Sequence, residues 1–165
     1  MKLDVTAVIM AVVLASTVWV LGDAVKTAAS PVPTLKSSEK AKWLTSFSEA
    51  KAQAAKRKVS ILADFSGSDW CGWCIKLDKE VFSKPEFTYY ASKNLVLLMV
   101  DFPRKKHQDA AVKQQNEKLS SQFGIEGFPT VLLLDSEGKV LARTGYRPGG
   151  AEAYVKHLQD LVQKK

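Results

Sequence analysis

The chain of 165 residues is poor in cysteine and histidine, with two of each. Cys71 and Cys74 alone cannot build a small fold stapled by several disulfides. A tetrahedral zinc site needs four ligands, and His107 and His157 lie far from the cysteines and from each other, so no metal is expected. Ile75 stands where covalent haem attachment would need a histidine directly after Cys74. No internal repeat, low-complexity tract or long run of one charge occurs. The densest basic stretch, Arg104-Lys105-Lys106, is short and has no interleaved aromatics, which argues against nucleic-acid binding.

What is present is the composition of one soluble globular domain, 46% hydrophobic and 25% charged. Lys and Arg number 24 against 17 Asp and Glu, giving +7, an excess that serves solubility or favours acidic partners and anionic surfaces. From Val5 to Leu21 the chain is apolar and uncharged behind Lys2. This pattern fits a secretory signal with cleavage after Ala24 or near Thr27 to Ser30. It also fits a retained membrane anchor, because the run approaches the ~20 residues that span a bilayer. Either way the rest of the chain is expected outside the cytoplasm, periplasmic or otherwise extracytoplasmic. Residues 1–30 are thus read as an address, 31–36 as a Pro-containing linker and 37–165 as the folded domain.

Within the domain, Ala41, Leu44, Phe47, Ala50 and Ala54 recur at helical spacing, so the pattern predicts a long helix from Ser38, its N-cap, to about Lys58. Val59 to Ser66 and Leu95 to Phe102 read as strands buried on both faces, the first with Asp64 inside it, where a carboxylate needs a reason. Helices are expected over Ile75 to Phe82 and Pro85 to Ser92. Another is expected over about Gln108 to Phe123, with Ala111, Val112, Leu119 and Phe123 inward and Gly124 closing it. Thr130 to Asp135 and Lys139 to Thr144 form a hairpin, and a last helix runs from Ala151 to about Gln163. The order predicts an α/β fold: a mixed four-stranded sheet, two parallel strands plus the C-terminal antiparallel hairpin, flanked by helices and preceded by the long helix.

Cys71 and Cys74 sit between a strand end and a helix start. Three residues make nearly one helical turn, so both sulfurs fall on one side, within reach of a disulfide. A cysteine at a helix N-terminus faces unpaired N–H groups and the positive end of the helix dipole, which stabilise a thiolate. Cys71 is therefore expected to attack and Cys74 to resolve. An inert structural disulfide is the plainer alternative.

Trp70-Cys71-Gly72-Trp73-Cys74, with Asp64-Phe65 before it, then Phe123-Gly124-Ile125-Glu126-Gly127-Phe128-Pro129-Thr130 and Gly145 after the hairpin, stand in an order that resembles the thioredoxin family. The match spans roughly Val59 to Val162 and looks most like the exported thioredoxin-like proteins grouped with disulfide-interchange proteins. The resemblance implies a thioredoxin-like fold and a thiol–disulfide oxidoreductase without cofactor. It implies that Pro129 is a cis-proline beside the Cys pair, that Phe128 can bond an extended substrate strand, and that Gly127 allows close backbone approach. Trp70, Gly72 and Trp73 complete the substrate-facing set, although Trp70 could serve packing alone. Asp64 matches a buried carboxylate that moves the proton of Cys74, or is merely structural. One extra residue, within Gly67-Ser68-Asp69, separates it from the pair, and the lysine that often accompanies this carboxylate is missing from Leu95 to Val100.

The implied partners are proteins carrying disulfides or thiols and a redox protein that recycles the pair, such as a membrane electron donor; the protein itself is expected to be a monomer. Net reduction or interchange is favoured over dedicated oxidation. The rival is a thioredoxin-fold chaperone or adaptor that binds extended peptides without redox turnover.

Overall fold

The computed structural model describes residues 41–163; the expected signal or anchor, the linker and the Ser38 cap lie outside that range. The elements are β1 (Trp43–Leu44), α1 (Phe47–Arg57), β2 (Ser60–Ser66), α2 (Gly72–Leu77) and a π-helical turn at Asp78–Phe82. They continue with α3 (Pro85–Asn94), β3 (Leu95–Asp101), α4 (Ala110–Gln122), β4 (Thr130–Leu134), β5 (Val140–Thr144) and α5 (Gly150–Gln163).

The expected long first helix is shorter than predicted: within its described part a strand comes first and the helix starts only at Phe47. Ser46 is extended (φ −97°, ψ 121°) and its hydroxyl accepts the Glu49 N–H, so the helix is capped there and starts at Phe47. Upstream, Trp43 and Leu44 pair in parallel with Leu97 and Leu98 of β3. The sheet therefore has five strands rather than four, in the order β1-β3-β2-β4-β5. Helix α1 ends at Lys58 in the left-handed region (φ 55°), its N–H reaching the carbonyls of Ala54 and Ala55.

Strand β2 is central, parallel to β3 and antiparallel to β4, which turns back into β5. All seven residues of β2 are buried, as a strand covered on both faces requires. Alternation divides the core. Leu62, Leu95, Leu97, Val131 and Leu133 face α2, α3 and α5 through Leu77, Phe87, Tyr154 and Leu158. Ile61, Ala63, Phe65, Val96, Leu98 and Leu132 face α1 and α4 through Ala50, Ala54 and Leu119. By the same alternation Asp64 lies on the side of β2 that α2 covers.

The inner face of α4 differs from expectation. Asn116 and Leu119 are buried, whereas Ala111 is exposed and Val112 and Phe123 are half-buried. The cause is the unfinished end of β3, where Asn116 Nδ2 donates to the Asp101 carbonyl at 2.9 Å and Gln108 Nε2 donates to the same oxygen.

Candidate active site

Cys71 follows directly on the loop that leaves β2 and is the N-cap of α2 (φ −83°, ψ 105°). It is bonded to Cys74 with the Cα atoms 5.2 Å apart, and its Sγ also accepts the Cys74 N–H at 3.2 Å. The two residues are 7% and 4% exposed. Helix α2 continues without interruption into the π turn, whose wide bond runs from the Ser83 N–H to the Asp78 carbonyl at 2.9 Å.

The segment before the pair is fastened to the end of β3. Ser68 donates from its N–H to Asp101 Oδ1 (2.8 Å) and from its hydroxyl to Oδ2 (2.6 Å). Asp69 accepts the N–H groups of Arg104, Lys105 and Lys106 at 3.0, 2.7 and 3.0 Å. Those bonds hold its carboxyl below the usual carboxylate range. Trp70 donates from Nε1 to the Phe102 carbonyl at 2.8 Å, its ring lies edge-on to Phe128 (5.9 Å), and the Arg104 guanidinium covers it at 3.7 Å. Phe102 stacks on Phe128 at 5.1 Å. The peptide bond Phe128–Pro129 is cis. One aromatic cluster thus brings the Phe128-Pro129 segment beside the residue that precedes Cys71.

A Cβ on Gly72 or Gly127 would meet no other atom of the chain within 4 Å. The tight glycines are others. A Cβ on Gly145 would sit 3.0 Å from the Pro129 carbonyl, and one on Gly67 would meet the Trp70 ring at 2.5 Å. Trp73, 58% exposed, leans on Tyr146 with ring centroids 5.1 Å apart. Lys76 lies over both rings, and the Tyr146 hydroxyl donates to Glu80. The Tyr146 hydroxyl and Glu80 hold the Lys76 ammonium above its usual range.

Asp64 is 3% exposed and its Oδ1 has no hydrogen-bond partner. Burial, then the carboxylates of Asp101 and Asp78, push its carboxyl up to about 8. Its register neighbours on β3 and β4 are Met99 and Val131, so no cation faces it from either strand. Asp101, Phe102, Arg104 and Tyr146 escape the sequence motifs. Their signal was the basic stretch set directly behind a strand-ending aromatic, together with the Gly67-Ser68-Asp69 segment that departs from the family pattern. Among the described residues no cluster of His, Cys, Asp and Glu could hold a metal ion.

A family model described as a thioredoxin-like domain matches residues 47–161. The chain is 39% identical over 118 residues to the disulfide bond reductase DsbH of Chlamydia pneumoniae, covering 72% of this chain and 71% of that protein. It is 33% identical over 119 residues to the thioredoxin-related protein DsbJ of the same organism, covering 69% of this chain and 34% of the relative. A solved structure of a DsbH oxidoreductase superposes with a TM-score of 0.72 at 37% identity, covering 76% of this chain and 87% of that one. A thioredoxin from Thermus thermophilus, at 16% identity and a TM-score of 0.56 over 74% of this chain and 88% of its own, shares the fold. The chain belongs to the thioredoxin-like family. With its Cys71–Cys74 pair it is a thiol–disulfide oxidoreductase.

Proposed function

We propose that the protein is exported and reduces or interchanges disulfides of protein substrates through a mixed disulfide. The observation that carries this reading is the Cys71–Cys74 bond at the start of a helix, with Cys71 Sγ accepting the Cys74 N–H. That donor and the helix start favour negative charge on Cys71 once the pair is reduced.

The Cys71 thiolate attacks one sulfur of a substrate disulfide. The substrate S–S bond breaks, a Cys71–substrate bond forms, and the leaving substrate thiolate takes a proton from solvent. Asp64, ionised, accepts the Cys74 proton, and Cys74 then attacks Cys71 Sγ. The Cys71–Cys74 bond forms and the second substrate thiolate leaves, so two electrons have passed to the substrate. A dithiol partner, such as a membrane electron donor, returns them. Substrate lies extended along Phe128 and Pro129, bordered by Trp70 and by the exposed Trp73, with Gly72 and Gly127 leaving room.

Two observations support net reduction. DsbH is itself a disulfide bond reductase. Lys76 and Arg104 lie over the rings of Trp73, Tyr146 and Trp70, and strong oxidants depend on a heavily stabilised reduced form. The Dsb relatives and the apolar Val5 to Leu21 run support an extracytoplasmic location.

The test is insulin reduction with dithiothreitol by the wild type, Cys71→Ser and Cys74→Ser. Only the wild type is expected to accelerate it, and equal rates for all three would mean binding without redox turnover. Cys74→Ser is expected to trap a mixed disulfide through Cys71, whereas trapping through Cys74 in Cys71→Ser would reverse the roles.

A further inference from the structure

The basic stretch Arg104-Lys105-Lys106 is exposed, yet its backbone is held at each residue by Asp69. Three cations against Asp69 and against Asp101, which lies one hydroxyl away from Lys106 through Ser68, leave a rim of net positive charge. Among the described residues the ion pairs are Lys76–Glu80 and Lys113–Glu117, and neither draws on the stretch. The rim begins one ring away from the chemistry: Arg104 covers Trp70 at 3.7 Å, Trp70 precedes Cys71, and its ring meets Phe128 at 5.9 Å. The aromatics that the sequence lacks within this stretch are therefore supplied in space by Trp70, Phe102 and Phe128. Because Ser68 and Asp69 anchor the loop, the backbone that carries these charges keeps a set position relative to Cys71.

We propose that this rim is a specificity element that favours extended protein segments with Asp or Glu beside the disulfide cysteine. The inference rests on the oxidoreductase reading and deepens it by naming the substrate class. A lipid surface fits less well, since recognition of anionic membranes takes clusters of about 4–8 basic residues, more than this stretch offers.

The test uses the full chain and three peptide disulfides of equal length whose cysteines are flanked by Asp-Glu, Ser-Ala or Lys-Arg. At low ionic strength the acidic peptide is expected to exceed the basic one in kcat/KM by about three- to tenfold, the yield of one or two exposed charge contacts with steering. The ratio is expected to fall towards one near 1 M salt, where the Debye length is about 3 Å, and in Lys105→Gln/Lys106→Gln. Reduction of the neutral peptide with equal rates on the two charged ones overturns this inference alone. Reduction of none of the three overturns the oxidoreductase reading with it. Equal rates combined with binding to phosphatidylglycerol vesicles that the double variant loses would assign the cations to a membrane and overturn the proposal.

Discussion

A carboxyl group on the central strand, 3% exposed and with one oxygen unpartnered, is favoured there in its protonated form, and its ionised form costs stability. The folded value for Asp64 is about 8 and the unfolded one about 3.9. Between them the folded state holds a proton that the unfolded chain has lost, so stability falls as pH rises through that window. Asp64→Asn cannot ionise, and any hydrogen-bond deficit of its amide does not depend on pH. Its stability relative to the wild type is therefore expected to climb by about 2–5 kcal/mol between pH 5 and pH 9, read from denaturant melts. Parallel curves would show that Asp64 is not the buried acid described. Resolution of the mixed disulfide should meanwhile slow by about tenfold or more in the same variant.

Gly67 carries a second residue-scale expectation. Its missing Cβ is the space that the Trp70 ring occupies, and that ring is held by Phe102 and Arg104. Gly67→Ala should cost about 1–3 kcal/mol by overpacking and displace Trp70 from Phe128, seen as a lower melting temperature with slower turnover. Cys71, Cys74 and Asp64 were legible because their chemistry is unusual for their local context. Gly67 was not, because the neighbour that demands a glycine there is a side chain that folds back over it.

At the scale of elements, the latch formed by Ser68 and Asp69 does what a longer strand pairing would do elsewhere, joining the exit of β2 to the exit of β3. Asp69→Ala removes the acceptor for three amides, which have no other acceptor among the described contacts. Amide exchange at Arg104, Lys105 and Lys106 is expected to accelerate about tenfold or more while β2 and β3 keep their protection, measured by hydrogen exchange with mass spectrometry. Unchanged exchange would mean that the loop is held by something other than this carboxylate. Sequence spacing missed this device, since the partners lie over thirty residues apart and their bonds involve backbone N–H groups that any residue supplies. It missed β1 for a related reason. Trp43 and Leu44 are too short for alternation to register, and Leu44 fits the helical spacing of Phe47, Ala50 and Ala54 as well as it fits a strand. Only the pairing with Leu97 and Leu98 decides the matter. The hairpin and the parallel pair were legible because their signals are local: a Gly-containing turn at Gly138 and two apolar runs joined through helices.

For the whole molecule, direction of electron flow and stability are one quantity seen twice. Oxidation and folding form a thermodynamic cycle, so a pair more reducing in the folded protein than in the unfolded chain must stabilise the fold when oxidised. A strong oxidant shows the reverse, because its reduced form is the stabilised one. Here the helix start and the Cys74 N–H are the groups that stabilise a reduced pair; against them, Cys71 and Cys74 are buried, Lys76 and Arg104 lie over aromatic rings, and Asp64 shares the α2 side of the sheet. Above pH 8 the Asp64 carboxylate opposes a thiolate further. The oxidised protein is therefore expected to be more stable than the reduced one by about 1–3 kcal/mol, which for two electrons corresponds to a folded pair about 20–65 mV more reducing than the same pair in the unfolded chain. Guanidinium melts of the two forms, the reduced one kept in excess dithiol, measure the difference. A reduced form more stable than the oxidised one would place the protein among the oxidants and overturn the proposed direction, while leaving the Cys71–Cys74 chemistry itself intact.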